Sequence, residues 1–224
     1  MTLIEQLTAV ITAIAEDISK NSGNSGSSDN SGSASSDFSD ISVLLPRKIG
    51  ASQRWYQSGL RHGADYPYPY LASSGGSVSG VQSFVPFTAL EDAKITGLEI
   101  YCSTAKAGTT ISLGIYASDS NNDVASPLFT SDPISCDATG AKNAPCNVQI
   151  KKGKVYWLST LSKGTAMFHR NSVDSLFPIK GTTKANQSSI IGYYTTNNTS
   201  MAQSAPIYKA DLEGEAPRVL FITG

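Results

Sequence analysis

The 224-residue sequence predicts a mainly β protein: a jelly-roll-like β-sandwich head over residues 41–224, preceded by a short N-terminal coiled-coil helix over residues 1–20 and a flexible linker over residues 21–40. Three observations carry this. The second half repeats short apolar/polar alternations of period two, separated by polar turns and with no helical period between them. An Ile/Leu stripe at spacings of three and four opens the chain. Between the two, Asn21–Ser36 holds not one large apolar residue.

The helix is read from Ile4, Leu7, Ile11, Ile14 and Ile18, which occupy the a and d positions of a heptad. Thr2 and Glu5 form a capping box that starts it. At about 28 Å it is marginal in water on its own, so its stripe needs partners. Isoleucine at a with leucine at d favours a dimer, but Ile14 at d and the flanking Leu3 and Val10 at g widen the stripe toward three strands. The competing expectation is an amphipathic helix docked on the chain's own head.

The linker, Asn21–Ser36, reads NSGNSGSSDNSGSASS. Treated as a Gly/Ser coil it has an r.m.s. span of about 22 Å and a maximal reach of roughly 50 Å. It is a tether that decouples helix from head.

In the head, Ile111, Leu113 and Ile115 alternate with Thr110, Ser112, Gly114 and Tyr116, the pattern of a half-buried strand. Leu98, Ile100 and Cys102 alternate just upstream, with a hairpin-sized gap at 104–108. Cys146, Val148 and Ile150 alternate next, and Lys152-Gly153 turns the chain into a strand at Val155–Thr160 carrying Tyr156 and Trp157. Further strands are expected at Val81–Thr88, Ile190–Tyr194 and Val219–Ile222. Many short strands with polar turns fit a sandwich or jelly roll.

Several of these strands carry a resemblance. FVPF at Phe84–Phe87, ITGLEI at Ile95–Ile100, ISLGIYASDSN at Ile111–Asn121, KKGKVYWLSTL at Lys151–Leu161 and the upstream RWYQSG at Arg54–Gly59 resemble, in this order, the β-sandwich tip modules of tailed-bacteriophage tail-fibre and head-fibre proteins. The likeness covers Arg54 to Ser172, departs at the polar stretch Asp132–Pro145, and does not extend to the last fifty residues. It implies a virion structural protein made in the host cytoplasm, a homotrimeric appendage whose N-terminal helix meets other virion proteins. Its head would bind a host surface receptor, either a glycan or a protein. A capsid decoration protein clamping neighbouring capsomers is the alternative within the virion, and a glycan-active depolymerase is the alternative from another class.

Charge and composition narrow the partners. Residues 1–40 hold one base, Lys20, against six acids, leaving sixteen bases against twelve acids in the remainder. Neither part is polybasic, so a nucleic-acid partner is not expected. Glu5, Gln6, Thr8 and Thr12 interrupt the first apolar run, which is too short to span a bilayer and lacks a basic leader, so neither export signal nor membrane insertion is expected.

Candidate chemistry is sparse. His62 and His169 have no partner at metal-ligand spacing, and no metal or cofactor is expected. Glycoside cleavage needs two facing carboxylates, and the head's acids fall mostly in turns, so a non-enzyme is expected. Asp119, Asn121 and Asp123 have calcium-loop spacing, but Val124 and Thr130 stand where such a loop needs Gly and Glu, so a solvated hairpin tip fits better. Cys102, Cys136 and Cys146 read as buried or loop thiols, with a Cys136–Cys146 bridge as the alternative. The segment with most recognition potential is Arg54–Leu71, where Trp55, Tyr56, Tyr66, Tyr68 and Tyr70 lie among Arg54, Arg61 and His62. Pro67 and Pro69 hold the three later tyrosines extended, and such rings suit a sugar or protein surface. The competing expectation is that they cover the sandwich core or pack between subunits.

Overall fold

The computed structural model describes residues 55–64, 73–172, 190–213 and 215–224. The strands in chain order are β1 (Arg61–Gly63), β2 (Ser74–Gly76), β3 (Gln82–Thr88), β4 (Ala93–Thr104), β5 (Thr110–Ser118), β6 (Val124–Thr130) and β7 (Ile134–Ser135). They continue with β8 (Gly140–Ile150), β9 (Val155–Lys163), β10 (Met167–Ser172), β11 (Ile190–Thr195), β12 (Ala210–Glu213), β13 (Glu215–Pro217) and β14 (Leu220–Thr223). They form two antiparallel sheets. The first runs β1-β14-β4-β10-β13, with β8 also on β4 and β2 on β10; the second runs β12-β11-β3-β9-β5-β6, with β7 also on β5. The coiled-coil positions Ile4, Leu7, Ile11, Ile14 and Ile18 and the linker lie outside the described residues.

The chain crosses between sheets at nearly every turn from β3 to β11, so each crossing brings an apolar face back to one shared core. Ile95, Leu98 and Ile100 of β4 and Phe221 of β14 come from the first sheet; Phe87, Ile111, Leu113, Ile115 and Leu158 come from the second. All nine belong to one buried cluster. Burying a side chain of this size is worth about 1.5–3 kcal/mol, which makes this cluster the main stabilising feature.

The half-buried reading of β5 is corrected by the structure. Its odd positions face the shared core as the alternation predicts, but Tyr116 on the opposite face is also fully buried. There it joins Phe84, Val124, Trp157, Leu161 and Met201 in a second apolar cluster. The second sheet is thus buried on both faces where the connection between β11 and β12 lies across it. Gly114 permits the close approach: a Cβ at this position would sit 2.7 Å from the Met201 methyl and 3.1 Å from the Phe129 carbonyl oxygen.

The turns follow sequence chemistry. Asp119 Oδ1 accepts the Asn121 and Asp123 backbone N–H groups at 2.8 and 2.9 Å, and Asn122 adopts φ 61°, so the calcium-like spacing closes a hairpin tip. Gly153, at φ 76°, turns β8 into β9. Asp92 accepts the Lys152 N–H at 2.8 Å beside it. The three cysteines are free thiols; burial pushes Cys136 and Cys146 up to about 11, which keeps both protonated at neutral pH.

His62 gives the fold a pH dependence. It is 5% exposed, with ring centroids 5.1 Å from Tyr56 and 5.6 Å from Phe221, and desolvation holds its pKa below 6.5. Above pH 6.5 the ring is neutral folded or unfolded, and its contribution to stability is complete. As pH falls from 6.5 toward the lower native value, the unfolded chain takes up the proton first and stability drops. Melting temperature is therefore expected to fall between pH 7.5 and pH 5 more steeply in the wild type than in His62→Phe; identical slopes would exclude His62 as the source.

Candidate binding groove

The candidate site is built on β11 and β12. In the register of the sheet Tyr193 lies between Phe84 of β3 and Asp211 of β12, on the outer face of the second sheet. Its ring stacks on Trp157 at 5.4 Å, and the Trp157 indole N–H donates to Ser118 Oγ at 3.0 Å.

The connection 196–209 is rich in Asn, Ser and Ala and has little apolar surface with which to dock. Buried polar groups hold it instead. The Ala202 N–H donates to Gln82 Oε1 at 3.0 Å, and the Tyr116 hydroxyl donates to the Ala202 carbonyl at 2.6 Å. Gln82 Nε2 donates in turn to the Tyr116 hydroxyl and to Ser159 Oγ, each at 2.9 Å. Burial pushes the Tyr116 phenol up to about 12, so it stays a donor across the physiological range. Asn198 ties the start of the connection to Gly80 through its backbone N–H, at 2.9 Å, and its side-chain amide, at 3.0 Å. Met201 fills the space between these bonds, 4% exposed.

At the far end, Lys209 Nζ donates to Asp123 Oδ2 at 2.7 Å and lies 4.8 Å from the Tyr193 ring centroid. This clamp joins the β5–β6 hairpin to β12. Just before it, Ile207 and Tyr208 stand 87% and 89% exposed. The result is a groove of about 620 Å³ whose lining includes Tyr193, Tyr194, Ile207, Tyr208, Asp123 and Asp211. Aromatic faces beside carboxylates and hydroxyls are suited to holding a polar ligand that has apolar faces of its own. Among the described residues no group of three His, Cys, Asp or Glu side chains is placed to hold a metal ion.

The structure moves the site away from part of the sequence candidate. Tyr56 is 4% exposed and belongs to the core; its hydroxyl accepts the Leu90 N–H at 3.0 Å, and its own N–H donates to Glu91 at 2.7 Å. As a displayed ligand-binding ring it is corrected to a core residue, because the ring sits between Phe221 and His62. Trp55 is half-buried and packs against the same core. Arg61 is engaged as a fork on the buried Glu99 carboxylate, at 2.6 and 2.7 Å. Tyr66, Tyr68 and Tyr70 lie outside the described residues. Sequence reasoning missed Tyr193, Ile207 and Tyr208. The available signal was the adjacent Ile-Tyr pair closing a long polar stretch with no alternation to bury it.

Compared with known proteins, the chain matches no family model and no curated protein.

Proposed function

We propose that this chain is a bacteriophage virion structural protein: a homotrimeric appendage, stemmed by an N-terminal coiled coil, whose jelly-roll-like head binds a host surface receptor without catalysis. The observation that carries the binding part is the adjacent exposure of Ile207 and Tyr208 at the rim of a groove whose frame is fixed by buried hydrogen bonds. Solvent-facing apolar residues cost little singly, but a pair beside a pre-formed groove is the arrangement binding sites use. The virion part is supported by the resemblance of Arg54–Ser172 to fibre tip modules, and by the stripe Ile4, Leu7, Ile11, Ile14 and Ile18 ahead of a Gly/Ser tether.

Gold-labelled antibody against the head, applied to purified phage particles, tests this reading. Label on tail or capsid appendages supports it; particles that lack the protein overturn it.

A further inference from the structure

We infer that the groove takes an uncharged saccharide, a short run of pyranose rings free of carboxylate, sulfate or phosphate groups; the inference rests on the receptor-binding reading above. Three observations point to it.

The first is the kind of surface. A pyranose has an apolar C–H face and a rim of hydroxyls. The exposed Tyr208 ring and Ile207 offer the apolar platform. Asp123, Asp211 and Thr195 line the same groove, and an oxygen that already accepts one bond, as Asp123 Oδ2 does from Lys209, has a second lone pair for a sugar hydroxyl.

The second is charge. Among the described lining residues Lys209 is the one cation, and its ammonium is committed to Asp123 at 2.7 Å and to the face of Tyr193 at 4.8 Å. An anionic sugar would meet two carboxylates, Asp123 and Asp211, with a single ammonium, already paired to Asp123, to offset them. A neutral sugar leaves the pair intact.

The third is size. A stable protein partner covers about 800 Å² of each surface, with apolar anchors at its centre. A groove of about 620 Å³ is within the range of small-ligand sites.

The test titrates the full-length protein calorimetrically with two sets of hexasaccharides. The neutral set holds malto-, cello-, manno- and N-acetylchito-oligosaccharides; the acidic set holds oligogalacturonate and oligomannuronate. At least one neutral probe is expected to bind, and Tyr208→Ser is expected to weaken it roughly tenfold with unchanged melting. Ile207→Ser, equally exposed, serves as the second variant. Acidic probes binding as well as or better than every neutral probe would overturn the inference. So would the failure of all neutral probes, or binding indifferent to both variants. None of these results touches the particle-labelling experiment, so the two readings fail separately.

Discussion

Replacing Phe221 with alanine is expected to cost the β domain about 3–5 kcal/mol, the range for removing a fully buried aromatic ring. Phe221 is 0% exposed and sits where three other rings meet. It stacks on Phe87 at 4.9 Å, meets Tyr56 edge-on at 5.2 Å and lies 5.6 Å from His62. Phe87 belongs to the second sheet, while Phe221 lies on β14, which pairs with β1 and β4 in the first. The ring therefore joins both sheets and the Tyr56 ring ahead of β1 in one contact. Denaturant unfolding is the measurement. Phe221→Leu, which leaves a smaller cavity, is expected to lose distinctly less, and a loss under about 1 kcal/mol for the alanine variant would show that the neighbouring rings close over the gap.

The second large effect concerns the stem. Removing residues 1–20 is expected to leave a folded head of monomer mass by light scattering, since the Ile/Leu stripe is the sequence feature that calls for partner helices. In the trimeric appendage proposed above, attachment to host cells should then fall by about 10²–10⁴-fold, because three linked heads would raise the effective concentration of each weak site. A trimer that persists after the deletion would place the oligomer contacts on the heads.

The strands were legible where one face is apolar and the turns use Gly or Asp. The readings at Thr110–Ala117, Val155–Thr160, Val81–Thr88 and Ile190–Tyr194 fall on β5, β9, β3 and β11. The first half of β8, Gly140–Pro145, escaped that reading because its composition is polar and ends on proline. It is paired to β4 along one side, a position where Lys142, Asn143 and Pro145 are tolerated. The second apolar cluster escaped for another reason. Its cover, 196–209, is held by hydrogen bonds from Gln82 and Tyr116, and polar docking leaves no hydrophobic period to read. Tyr56 was misread for a third reason. A cluster of rings such as Trp55 and Tyr56 has the same composition whether it is displayed or buried, and only the neighbours brought from β14 and the β3–β4 turn decide which.

Tyr56 has a mechanical meaning as well. A pull delivered along the chain from the N-terminal side reaches the described domain at Trp55 and Tyr56, before the three residues of β1 paired to β14. The Tyr56 ring is wedged against Phe221, its hydroxyl holds the Leu90 N–H, and its own N–H is held by Glu91. It acts as a rivet, and single-molecule pulling from the N-terminal side is expected to show a lower rupture force for Tyr56→Ala than for the wild type. Past the rivet, tension passes through β1 into β14 and β4 of the first sheet, and through the Tyr56–Leu90 bond into the turn that follows β3 of the second. Tension from the N-terminal side would thus reach both sheets through one ring.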